Sequence, residues 1–106
     1  MTVPQRTAEQ RADALTAAVA ARQERARLKA ALKAREITVL EVLDGAPDNP
    51  LWGGLRVLWL LECVPGIGAV RAERALANAQ IAASRRVRGL GERQRAALVA
   101  ALGGGG

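Results

Sequence analysis

The sequence predicts an all-α fold in which a long N-terminal helix is attached to a compact helical body. Half of the 106 residues are apolar, but Phe and Tyr are absent and there are only two Trp. The apolar set therefore consists mainly of Ala, Leu and Val, a composition that favours helices over sheets. In addition, neither Gly nor Pro occurs between residues 7 and 35, whereas both recur at short intervals afterwards.

The first predicted helix runs from Thr7 to about Arg35, a length of roughly 43 Å at 1.5 Å per residue. Residues 7–10 have the capping-box spacing, and Pro4 lies just upstream. Because large apolar residues are few, this helix cannot be buried along its whole length. We expect Leu28 and Leu32 to dock on the body while the N-terminal half projects from it.

One side of this helix is predicted to be basic. At about 100° per residue, five cations fall within a sector of roughly 80°: Arg11, Arg22, Arg25, Lys29 and Lys33. The pattern fits a surface for an anionic partner, and it equally fits a solvated helix face.

Capping signals and breakers divide the rest of the chain into short helices. Thr38 precedes a short second helix that closes at Asp44-Gly45, and Asn49-Pro50 can cap and begin another turn. Further helices are predicted at residues 57–64, with Trp59 in the core, at residues 69–79 and at residues 92–102, with a helical turn near residues 84–88. We therefore divide the chain into an arm, residues 1–36, and a body, residues 37–106, which ends in a flexible Gly tail.

The charge distribution points to a polyanionic partner. There are 16 Lys and Arg against 10 Asp and Glu, a net charge of +6. Residues 1–36 carry eight basic and four acidic side chains, residues 37–64 one and four, and residues 65–106 seven and two. Both ends are thus cationic, which favours nucleic acid as partner.

Other function classes find little support in the sequence. His is absent and Cys63 is the single Cys, so we predict no disulfide, no metal, no cofactor and no small-molecule substrate, with Cys63 a buried hydrophobe. No apolar run approaches the ~20 residues of a membrane-spanning helix. Because the N-terminus also lacks the layout of an export signal, we expect a cytoplasmic protein that does not bind membranes.

The most informative motif is the turn at residues 65–72, Pro-Gly-Ile-Gly-Ala-Val-Arg-Ala. Pro65 ends one helix, and Gly66 and Gly68 are expected to allow backbone angles and close approaches that a Cβ would forbid. Ile67 is expected to point into the core. The amides from Gly68 to Val70 then open the next helix, where free N–H groups and the helix dipole favour a phosphate. A purely structural tight turn is the alternative.

A second motif places Arg85, Arg86 and Arg88 within four positions beside two glycines. We expect these arginines to be exposed, without a structural role, and able to reach phosphates on either side of a groove. Arg93 and Arg95 are expected to extend this basic patch along the last helix.

Together these motifs resemble the helix-two-turn-helix module found in a small-subunit ribosomal protein and in DNA-repair glycosylases. Over nearly the whole chain the sequence resembles the actinobacterial integration host factors, at residues 9–12, 20–22, 60–62 and 65–68 and most distinctively at residues 85–91. This chain departs from the family at three positions. The family usually has Lys where this chain has Ala69, a basic residue where it has Gly54, and a helix-capping Ser where it has Leu58.

This resemblance implies a long N-terminal helix on a helix-two-turn-helix domain, and a nucleoid-associated protein that shapes DNA. It implies largely sequence-independent binding of duplex DNA, assistance to phage integrase-mediated recombination, and no enzymatic activity. The expected DNA-binding residues are Gly66, Gly68, Val70, Arg71, Arg85, Arg86, Arg88, Arg93, Arg22, Arg25 and Lys29. The alternatives left open are an RNA- or ribosome-binding protein, a glycosylase-like enzyme, and a protein-binding module that uses the first helix.

Overall fold

In the computed structural model, which describes residues 8–102, the chain is all-α as predicted. The elements, in chain order, are α1 Ala8–Lys33, α2 Val39–Gly45, α3 Pro50–Gly53, α4 Val57–Glu62, α5 Ala69–Asn78 and α6 Glu92–Ala101, with 3-10 turns at Ala46–Asp48 and Val87–Gly89. No helix in residues 8–102 is long and apolar enough to cross a membrane. The predicted cap at Thr7 and the Gly tail lie outside the described residues.

Helix α1 projects from the body, as the sequence predicts. Its buried residues are Leu28 and Leu32, both in the last two turns, whereas Leu15 is 64% exposed. A short turn then redirects the chain: Arg35 adopts a positive φ of 61°, and the N–H of Glu36 donates to the carbonyl of Ala31. This pattern of a left-handed residue with a backward hydrogen bond is a Schellman helix end.

The predicted capping signals are confirmed at α2 and α3. Thr38 and Glu41 form a reciprocal capping box, and the Asn49 side chain accepts from the N–H of Trp52, with Pro50 in the first turn. Position 58, where the family usually has a capping Ser, is not a cap position in this chain, because α4 begins at Val57 and Arg56 is its N-cap residue. Leu58 therefore lies inside the helix, where a capping side chain has no role.

The core lies between α1's last turns and the five shorter helices. Its fully buried side chains include Val42, Val57, Leu60, Leu61 and Leu98. Trp59, expected in the core, is only partly buried and packs on the core's edge. Cys63 is buried and free, as predicted, and burial raises the pKa of its thiol. The division at residues 36 and 37 stays a prediction, and α1 shares this core.

One side chain ties the last helix to the end of α5. The side-chain oxygen of Gln94 accepts from the N–H of Gly91, and its amide nitrogen donates to the carbonyl of Gln80. Gln80 has a positive φ of 57° and terminates α5. Gln94 therefore holds the start of α6 against the end of α5, and the arginine-rich segment lies between these two points of the chain.

Candidate nucleic-acid interface

The glycine turn between α4 and α5 exposes the N-terminus of α5. Gly66 has φ +84°, a conformation that L side chains rarely adopt, and Ile67 is partly buried against the core. The first hydrogen bond of α5 runs from the N–H of Ala72 to the carbonyl of Gly68, 2.9 Å. Ala72 is fully buried, in agreement with the close packing expected from its small side chain.

Three backbone N–H groups ahead of that bond lack an acceptor within residues 8–102: those of Ala69, Val70 and Arg71. All three residues are exposed, Val70 to 69%. The unpaired amides lie at the positive end of the helix dipole, an arrangement that favours an anion such as phosphate. The predicted residues Gly68, Val70 and Arg71 are thus brought together.

The expectation for Gly68 needs a correction. Its φ of −84° and ψ of 173° suit any residue, and a Cβ built on it would meet nothing within 4 Å. The fold therefore does not require glycine there, whereas the positive φ of Gly66 does favour it. What glycine provides at position 68 is the absence of a side chain at the N-cap of α5.

The arginine-rich loop is anchored by a backbone bridge between Arg56 and Arg86. The N–H of Val57 donates to the carbonyl of Arg85, 3.0 Å, and the N–H of Val87 donates to the carbonyl of Leu55, 2.9 Å. Val87 is buried, so its neighbours in the loop are directed outwards. The loop is thus held by one distant segment, residues 55–57, rather than by its own turn alone.

The three loop arginines are exposed as predicted, but they also have structural contacts. Arg85 donates to the carbonyl of Gly89, and Arg86 donates to the carbonyl of Gly54. A Cβ on Gly54 would lie 3.5 Å from the guanidinium of Arg88, so that side chain lies over the glycine pair at 53 and 54. Each guanidinium has five N–H donors, so these contacts orient the arginines and leave donors for a ligand.

Arg86 also belongs to a groove between α1 and the body. The groove has a volume of about 480 Å³ and is lined by Arg25, Gly54, Leu55, Arg56, Trp59 and Arg86. Three arginines from three separate parts of the chain thus line one groove together with a tryptophan. Arg56 was not among the residues predicted from the sequence. The only local signal was its position between a glycine pair and a helix start.

The basic side of α1 lies along α4. Arg25 lines the same groove as Trp59. Burial raises the pKa of the Cys63 thiol, and the nearby charges of Lys29 and Lys33 lower it by a smaller amount. Arg22 is exposed farther along the projecting part of the helix. The basic side of α1 therefore continues the basic surface of the body at the C-terminal end of the helix.

A second groove, of about 530 Å³, adjoins the α5 N-terminus. Its lining includes Gly68, Val70 and Arg71 together with Arg74, which the sequence analysis did not select. Its position in the sequence could have indicated it, because Arg74 follows Arg71 at the i,i+3 spacing that places two side chains on the same helix face.

The predicted extension along α6 is only partly supported. Arg95 forms an ion pair with Asp44, so its charge already has a partner. Arg93 is exposed near the start of α6, and within residues 8–102 no hydrogen bond or ion pair joins it to the arginine loop. Arg25, Arg56 and Arg86 line one groove and Arg88 lies beside it over Gly53 and Gly54, whereas the role of Arg93 in DNA binding stays a prediction.

Comparison with known proteins gives consistent matches. The sequence model of the S13-like H2TH domain matches residues 32–102. Integration host factor of Mycobacterium tuberculosis is 45% identical over 103 residues, which cover 97% of this chain and 98% of that protein. Integration host factor of Streptomyces coelicolor is 46% identical over 98 residues, 92% of each chain. A solved structure of sIHF bound to an 8-base-pair palindromic DNA matches with a TM-score of 0.75 and 43% identity, covering 78% of this chain and 93% of that one.

Proposed function

Because the chain belongs to the actinobacterial integration host factor family and carries an S13-like H2TH domain, we propose that it is a nucleoid-associated protein that binds duplex DNA. It grips the sugar-phosphate backbone with little sequence preference and shapes the DNA that it binds. The observation that carries the proposal is the exposed N-terminus of α5, where three free amides adjoin Arg71.

Two kinds of phosphate contact follow from this geometry. The α5 amides provide a site that recognises the shape and charge of a phosphate without contacting a base. The arginine loop and α1 add guanidinium groups, which bind phosphate oxygens in a bidentate manner. Backbone contacts of this type position a protein on a duplex but do not specify sequence. Support comes from the DNA-bound sIHF structure to which this chain is similar.

The protein acts by binding rather than by catalysis, in this proposal. The sequence contains no His, and the buried Cys63 has a raised thiol pKa, which disfavours the nucleophilic thiolate. A glycosylase would additionally need an acid and a nucleophile around a pocket for a base. Assistance to a phage integrase would follow from DNA shaping, since an architectural protein brings distant sites together without contacting the reacting bonds.

The salt dependence of duplex binding tests the proposal. Each neutralised phosphate contributes a slope of about −0.9 to the plot of log affinity against log salt. With about four such contacts, affinity should fall roughly 100-fold between about 50 and 200 mM salt. Fluorescence anisotropy with two duplexes of unrelated sequence measures both the slope and the sequence preference. An affinity that is flat across this range, or that differs strongly between the duplexes, contradicts the proposal.

A pair of matched variants separates local contacts from net charge. Arg71→Ala and Arg27→Ala remove the same charge, but Arg27 is engaged with Glu24 on α1. Arg71→Ala should reduce the salt slope by about 1 and weaken both duplexes equally. Arg27→Ala should leave the slope unchanged. Equal effects of the two substitutions would assign binding to net charge instead of the α5 site.

Competition distinguishes DNA from RNA, the alternative suggested by the ribosomal members of the fold. A labelled DNA duplex is displaced by unlabelled DNA duplex, RNA duplex and single-stranded RNA of equal length. The proposal expects the DNA duplex to be the strongest competitor. A stronger RNA competitor would overturn it in favour of an RNA-binding role.

A further inference from the structure

Trp59 has a surface that duplex binding through the backbone does not use. One part of its side chain packs against the hydrophobic core, and the rest lines the groove between α1 and the body. The charged side chains that line this groove are those of Arg25, Arg56 and Arg86, and no acidic side chain lines it. An aromatic surface is thus surrounded by three cations, each from a different segment.

This combination suits an unstacked nucleobase. Every base has a π face, so a tryptophan can stack on any base, while arginines around it bind the phosphates on either side. Inside a duplex, by contrast, the base faces are covered by their neighbours and cannot reach a side chain. The groove volume, about 480 Å³, falls within the range of roughly 300–1,000 Å³ that is usual for small-molecule sites.

We propose that this groove holds one unpaired base of DNA, which stacks on Trp59 while Arg25, Arg56 and Arg86 bind the flanking phosphates. The ligand is DNA that contains a bulged or otherwise extrahelical nucleotide. This inference rests on the proposed DNA binding and specifies the form of DNA that the protein prefers. Arg86 is oriented for this role because its guanidinium also donates to the carbonyl of Gly54 in the groove wall.

The experiment compares two duplexes, one fully paired and one with a single unpaired thymine in the middle. The wild-type protein should bind the bulged duplex at least about 5-fold more tightly, the lower end of the effect of one base–aromatic stack. Trp59→Leu should remove this preference and keep the affinity for the paired duplex within about 2-fold. Trp59→Phe, which retains an aromatic ring, should preserve part of the preference.

Spectroscopy reports the stack directly. Trp52 packs against Gly45, outside the groove, so the Trp52→Phe protein retains Trp59 as its single tryptophan. Its emission should be quenched by the bulged duplex more than by the paired one. If Trp59→Leu or Trp52→Phe fails to fold, 2-aminopurine at the unpaired position, bound to the wild-type protein, gives the same answer through loss of its own emission.

The outcomes separate this inference from the proposed function. Equal binding of both duplexes by the wild-type protein would overturn the inference and leave duplex binding intact. A preference that persists in Trp59→Leu would also overturn it, because the bulge would then act through easier bending of the DNA. Failure to bind either duplex would overturn the proposed function and the inference together.

Discussion

The two glycines of the α4–α5 turn should respond differently to the same substitution. Gly66 has φ +84°, so Gly66→Ala forces an L side chain into the left-handed region, at a cost of about 1 to 2 kcal/mol. Gly68 has φ −84° and open space around its Cβ direction. There Ala restricts the unfolded chain and should change stability by about 0.4 to 1 kcal/mol in the stabilising direction.

Binding should show the opposite order. Gly68→Ala adds a methyl group at the N-cap position of α5, next to the predicted phosphate site, where it should crowd a bound phosphate. The loss of one hydrogen bond to a charged phosphate, about 1.5 to 3 kcal/mol, corresponds to roughly a 10-fold or greater loss of affinity. Gly68→Val adds more bulk at the same place and should bind still more weakly. Gly66→Ala, studied well below its melting temperature, should lose less affinity than Gly68→Ala, because Gly66 precedes the N-cap of α5.

Thermal unfolding followed by circular dichroism, together with anisotropy on a DNA duplex, measures both effects. For a domain of this size 1 kcal/mol moves the melting temperature by about 4 to 8 °C, so the expected loss in Gly66→Ala is readily detected. If Gly68→Ala melts as low as Gly66→Ala, the interpretation of the backbone geometry is wrong. If Gly68→Val is stable and binds like the parent protein, the α5 amides do not meet a phosphate.

Four further substitutions, one of them a control, test the supports of the interface. Leu28→Ala should cost about 2 to 5 kcal/mol because Leu28 is buried, whereas Leu15→Ala on the exposed half of α1 should stay within about 0.5 kcal/mol; chemical denaturation compares them. Gln94→Ala breaks two hydrogen bonds and should lower the free energy of unfolding by about 1 to 2 kcal/mol, seen as a lower melting temperature. The salt slope of DNA binding should not change. Arg86→Ala should lower stability and affinity together, since its guanidinium is both exposed and bonded to a backbone carbonyl, and a variant unchanged in melting would exclude the structural contact.

The parts of the fold that were predicted correctly depend on local chemistry. Capping at Thr38 and Asn49 needs only side chains within three positions, and the docking of Leu28 and Leu32 follows from their isolation on an Ala-rich helix. The resemblance to a known family supplied what local patterns could not, namely how the helices assemble. It also selected residues at both ends of the chain as one binding surface.

The features that escaped prediction depend on contacts between distant segments or on individual backbone angles. Arg25, Arg56 and Arg86 line one groove because the fold brings three distant segments together, and no local pattern encodes that arrangement. The same holds for the ion pair that engages Arg95. Gly68 was misjudged because a glycine in a sequence does not reveal the sign of its φ.

The bridge between Arg56 and Arg86 links the formation of the binding surface to the global folding reaction. Its two hydrogen bonds are donated by the N–H groups of Val57 and Val87. They can form only after the chain between these residues has closed a long loop. Loop closure costs entropy and delays non-local contacts in folding. These two amides should consequently exchange with solvent deuterium only through large-scale opening, near the slowest rates in the molecule. We therefore expect the arginine-rich loop to open with the free energy of the core rather than that of a surface turn, so that fluctuations that loosen ordinary loops leave its arginines in place.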